Sequence, residues 1–120
     1  MAKRLAGFVL ALVLAAFFAF VGWNKAFASL ADLASYHAWT IWLPEALGRI
    51  VGWSEMACAV LLLIPRTRPW AALLLIANQL VAAGFHAAHG EAAALPQNAV
   101  LIAMLAFIAR PVSTARGDLK

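Results

Sequence analysis

An uncharged apolar run from Leu5 to Trp23, LAGFVLALVLAAFFAFVGW, is the feature that most restricts this chain. Crossing the hydrocarbon core of a bilayer takes about 20 residues of helix, and this run has that length, with Lys3 and Arg4 before it and Asn24 and Lys25 after. Three further apolar segments follow. One spans about residues 45–64, from just after Pro44 to just before Pro65, and carries Glu45, Arg49 and Glu55. Another spans 70–89, with Pro69 before it and Gly90 after, the usual asymmetry of a helix start and stop. The last, 96–109, is the shortest. Four crossings would occupy most of the 120 residues, so residues 1–120 are read as a single all-α transmembrane domain, a four-helix bundle.

Composition agrees. The chain is 66% apolar and only 12% charged, against about half and a quarter in an ordinary soluble domain. The net charge of +4 does not argue for nucleic acid, because the basic residues fall at helix ends instead of forming a patch. Lys3, Arg4, Arg66, Arg68, Arg110, Arg116 and Lys120 collect on one side, and only Lys25 and Arg49 on the other. The positive-inside rule then places both termini in the cytoplasm, in a multi-pass protein of the inner membrane. Trp23, Tyr36, Trp39 and Trp42 gather at the outer boundary and Trp70 at the inner one, as an aromatic belt would. In the long outer connection, Phe27, Leu30, Leu33 and Ala34 recur at helical spacing, which predicts a short interfacial helix. The small-residue pattern Ala26-Phe27-Ala28 could end a signal peptide, but the long apolar run and the Trp23-Asn24-Lys25 approach favour a retained span.

Function is sought among polar groups inside the spans, since an ionisable residue in the membrane is expensive to place there. Glu55 is roughly 15 Å from either end of its span at about 1.5 Å per residue. It shares a stripe with Gly48, Gly52 and Ala59, so it should face a packed neighbour. Counting rise per residue sets Asn78 of the next span at the same depth, which makes the two partners. Asn78, Ala82, His86 and His89 are read as one polar face leading outward. Arg49, Lys25 and Asn98 lie toward the same side, giving a polar vestibule of Glu55, Asn78, His86, Asn98, Arg49 and Lys25. Glu45 and Arg49 have the spacing of an i,i+4 ion pair. His86, His89 and Glu91 are too weak a pattern to assign a metal. The single cysteine, Cys58, lies in an apolar run and is read as a packing residue; no second cysteine exists for thiol exchange.

Gly22-Trp23-Asn24-Lys25, the segment GWSEMACAVLLLIPRTR at 52–68, His86 and Asn98 together resemble the DoxX and DoxX-like family of small four-helix membrane proteins, over nearly the whole chain. The resemblance implies a fold more firmly than an activity. The family takes its name from a small subunit of a terminal quinol oxidase, other members are associated with thiol or oxidative-stress systems, and distant relatives act as receptor-assembly chaperones. The leading expectation is therefore an accessory subunit of a membrane oxidoreductase or respiratory complex, not an independent enzyme, binding a quinone-like or lipidic molecule near Glu55. No covalent cofactor or metal is expected; the partners would be membrane lipid and another membrane protein, with a homo-oligomer compatible with either. The rival readings are an assembly factor for another membrane protein and a small proton-coupled transporter with Glu55 as its proton site.

Overall fold

The limits of the helices follow from local chemistry. A computed structural model describes residues 2–118, with side chains described for residues 2–109, so Arg110, Arg116 and Lys120 of the basic-side count lie outside the described side chains. Helix α1 spans Ala2–Phe27, longer at both ends than its apolar core. Ser29 then caps α2, Leu30–Ser35, its hydroxyl accepting the Asp32 amide at 3.1 Å. A short helix is thus present in the long connection, six residues in length, followed by a 3-10 turn at Trp39–Trp42. Pro44 has extended backbone and precedes α3, Glu45–Leu62. The basic turn after α3 is also its cap, since Arg68 Nε donates to the Leu62 carbonyl at 2.7 Å and the Thr67 hydroxyl to that of Leu61 at 2.8 Å. Pro69 sits in the first turn of α4, Arg68–Ala88, and Gly90 leaves that helix at φ 73°, where glycine has no steric penalty. A short 3-10 turn, Ala92–Ala94, leads into α5, Leu95–Asp118. Helix α5 therefore continues beyond the fourth apolar run at the C-terminal end.

Every element among the described residues is helical. The surface is inverted relative to a water-soluble protein. Leu5, Phe20, Ile50, Trp53, Val60, Trp70 and Leu74 face outward, whereas Lys25, Glu55, Gln79, His86 and Asn98 are buried. Apolar exposure on this scale is that of a protein solvated by hydrocarbon. Three helical segments are long and apolar enough to cross a membrane: Ala2–Phe27, Arg68–Ala88 and Ala92–Ala109. Helix α3 is excluded from that set by composition, as it carries Glu45, Arg49 and Glu55.

The helices pack chiefly as two pairs, α1 on α3 and α4 on α5. The first pair closes at glycine. A Cβ on Gly52 would lie 2.6 Å from the Gly22 carbonyl oxygen and 2.5 Å from the Ala26 nitrogen, so the two backbones are in direct contact. The expected small-residue stripe of α3 is buried as read, but its two glycines meet different partners: Gly52 meets α1 and Gly48 meets Thr40. One end of the bundle is filled by Leu14, Phe18, Leu62, Leu75, Leu105 and Ile108, with Cys58 packed among them. Helices α1 and α5 touch only sparsely, and the space between them, lined also by α4, is the candidate site.

Candidate functional site

Lys25 lies in the last turn of α1, where the helix has rotated it inward beside Gly22. Its ammonium lies 3.0 Å from both carboxylate oxygens of Glu55. Asn78 Nδ2 donates to Glu55 Oε2, also at 3.0 Å, so the partnership anticipated from equal depth is present. Glu55 is fully buried and lies against α1 and α4. A carboxylate at that depth is tolerable because a cation from another helix neutralises it and an amide shares the load.

A cavity of about 370 Å³ adjoins this cluster, between α1, α4, α5 and the segment from Leu33 to Trp39. Lys25, Gln79, His86 and Asn98 supply its buried polar groups, and Phe17, Val21, Trp39 and Leu101 its apolar ones. Its mouth lies at the end carrying the two longer connections, beside Tyr36, His37 and Gln97. On the floor, Asn98 Nδ2 donates to Gln79 Oε1 at 2.8 Å, while Asn98 Oδ1 and Trp39 Nε1 are buried without a hydrogen-bond partner among the described residues. Unpaired buried polar atoms are uncommon, and two of them on residues of one cavity mark unspent hydrogen-bonding capacity. The Lys25 ammonium also lies 6.0 Å from the centroid of the Trp39 ring.

At the mouth, Glu91 joins two histidines from different elements. His86 Nδ1 donates to Oε1 at 2.9 Å and His37 Nδ1 to Oε2 at 3.0 Å. His37 has φ 57°, an uncommon conformation for a residue with a side chain. The hydrogen bond from His86 first, and the one from His37 after it, hold the Glu91 carboxyl below its ordinary range.

Of the residues proposed from sequence, Lys25, His86 and Asn98 line the cavity, and Glu55 and Asn78 stand behind Lys25 without lining it. Arg49 is elsewhere. Its Nη1 donates to the carbonyls of Lys25 and Ala28, at the end of α1, and its Nη2 reaches Glu45 at 3.2 Å, the anticipated i,i+4 pair. Of the polar face expected on α4, Ala82 and His86 line the cavity, but Gln79 stands there in place of Asn78, which turns to Glu55, and His89 stacks on Trp42 at 3.7 Å. Trp39 is not a belt residue: it is buried and stacks on Phe85 at 5.4 Å. Gln79 and Trp39 line the cavity beyond the residues expected from sequence, and the spacing of Gln79, Ala82 and His86 is as helical as that of Asn78, Ala82 and His86.

A family model described as the DoxX-like family matches residues 9–108, from the second turn of α1 to the last apolar turn of α5. No curated protein and no solved structure matches the chain. The match embraces the Lys25–Glu55–Asn78 cluster and every wall of the cavity, and on that extent the chain belongs to the DoxX-like family of membrane proteins.

Proposed function

We propose that the protein binds a quinone-like or lipidic molecule in the cavity beside Lys25 and serves as an accessory subunit of a membrane oxidoreductase. The observation that carries the binding is the cavity itself. Its volume of about 370 Å³ is within the range of small-molecule sites, about 300–1,000 Å³. Its walls combine aromatic and aliphatic surface with a few convergent polar groups, which suits a ring or chain bearing one or two oxygens. The sequence placed this occupant at Glu55; the geometry favours the other side of Lys25, which stands between the two. The subunit role rests on the family resemblance, together with a lone buried thiol at Cys58 that offers no dithiol pair.

The protein is further read as an inner-membrane protein with four crossings and cytoplasmic termini. Helix α3 is the crossing that needs argument. Its 18 residues rise about 27 Å at 1.5 Å per residue, and Lys25 neutralises its one deep charge. Purification in lipid nanodiscs followed by mass spectrometry of the extract is the test. An isoprenoid or lipidic molecule should co-purify with the wild type and be depleted in Gln97→Trp, which fills the mouth from an exposed position. An extract no different between the two proteins would defeat the binding reading. Absence of any oxidoreductase from a native pull-down would defeat the subunit role.

A further inference from the structure

The cavity wall holds one lysine and no arginine, and the charge of that lysine is answered from behind. Both Glu55 oxygens lie 3.0 Å from the Lys25 ammonium, on a residue that is wholly buried and does not line the cavity. An occupant approaching Lys25 therefore meets an ion-pair dipole, not an uncompensated cation. A second carboxylate, Glu91, stands at the mouth, bound to His86 and His37. An anion entering this space would lose its hydration without gaining a free counter-ion, which is the unfavourable case for buried charge.

Hydrogen bonding is a different matter. A lysine ammonium has three N–H bonds, and Lys25 spends one of them on Glu55, at Oε2, while Oε1 stands 3.0 Å away without a hydrogen bond, so N–H capacity is left for an oxygen in the cavity. Gln79 accepts from Asn98 through its carbonyl, and its own NH2 makes no hydrogen bond among the described residues. Two donors facing a largely apolar chamber suit a carbonyl, ether or hydroxyl oxygen on an uncharged body.

We infer that Glu55 determines the charge class of the cavity's occupant: by neutralising Lys25 from behind, it makes the site accept a neutral amphiphile with a hydrogen-bond-accepting oxygen and reject an anionic one of the same chain length. Glu55 acts here through Lys25, without touching the ligand. The inference rests on the binding reading above and adds a specificity to it.

The test uses the full chain in phosphatidylcholine nanodiscs, with a decyl-substituted benzoquinone as neutral probe and decanoate as anionic probe, bound ligand being counted by native mass spectrometry. The wild type should bind the quinone at least about tenfold more tightly than decanoate. In Glu55→Gln, decanoate affinity should rise by about tenfold or more while quinone affinity changes less than about threefold, and Glu55→Asp should keep the wild-type order. Should Glu55→Gln not fold, the doubly neutral variant Lys25→Gln/Glu55→Gln decides, because it should reject decanoate as the wild type does. Wild-type anion affinity in a folded Glu55→Gln, or tight decanoate binding by the double variant, overturns the inference. Equal binding of both probes by the wild type overturns charge selection alone; binding of neither probe overturns the ligand reading and the inference with it.

Discussion

The ammonium of Lys25 lies 3.0 Å from both carboxylate oxygens of Glu55, 30 positions further along the chain, and this pair joins α1 to α3 at the level of the Gly22–Gly52 contact. Glycine is what permits it. With the two backbones touching, the short reach from helix to helix lets the lysine fold inward onto the carboxylate instead of extending to the membrane surface, as a lysine near a helix end otherwise does.

Breaking the pair on one side should be far worse than removing it entirely. Lys25→Ala or Glu55→Ala leaves a buried charge without its partner and should destabilise by about 3–5 kcal/mol. Lys25→Met/Glu55→Leu should recover most of that loss. A double-mutant cycle on reversible unfolding in mixed micelles measures both, and additive single effects would show that the two charges are not coupled.

The glycines should separate sharply. Gly52→Ala places a methyl 2.5 Å from the Ala26 nitrogen, a backbone atom that cannot step aside, and should cost about 1–3 kcal/mol. Gly84→Ala on α4 meets nothing within 4 Å and should be neutral or stabilise by about 0.5–1 kcal/mol through helix propensity. The same unfolding assay compares them.

Arg49 should matter through the backbone and not through its ion pair. Arg49→Lys cannot keep both carbonyl bonds at the end of α1 and should lose about 1–3 kcal/mol, with faster amide exchange in the residues after Lys25. Glu45→Ala, which removes only a surface partner, should change stability by less than about 1 kcal/mol. Hydrogen exchange read by mass spectrometry distinguishes the two.

The bridge at the cavity mouth gives the folded state a pH dependence of known sign. The Glu91 carboxyl is held below its ordinary 4.5 in the folded protein, chiefly by the His86 hydrogen bond. The folded form thus binds fewer protons there than the unfolded form. The associated stability is fully present above the ordinary value and is lost as pH falls below it and through the lower folded value. Unfolding measured across the acid range should show a steeper decline for the wild type than for Glu91→Gln; parallel curves would remove Glu91 as the cause.

Side-specific labelling tests the four crossings. In a Cys58→Ala background, cysteines placed at Thr67 and at Tyr36 should react with an impermeant maleimide from opposite faces of the membrane. Reaction of both from one face would mean that α3 does not cross.

Sequence by itself determined what a single helix can determine. Apolar length, the proline before α3, the one in the first turn of α4 and the glycine after α4 set where helices begin and end, and the uniform rise per residue set the depth at which Glu55 and Asn78 meet. What one helix offers to another is an angular question, and successive residues differ by about 100°. That step separates Asn78, turned toward Glu55, from Gln79, turned into the cavity, and no property of α4 taken alone chooses between them. Packing chose. The contact of Gly22 with Gly52 fixed the rotation of α1, bringing Lys25 to Glu55 and the last carbonyls of α1 to Arg49. Through that contact a lysine whose place in the sequence marks a helix end became the counter-ion of the buried carboxylate and part of the cavity wall.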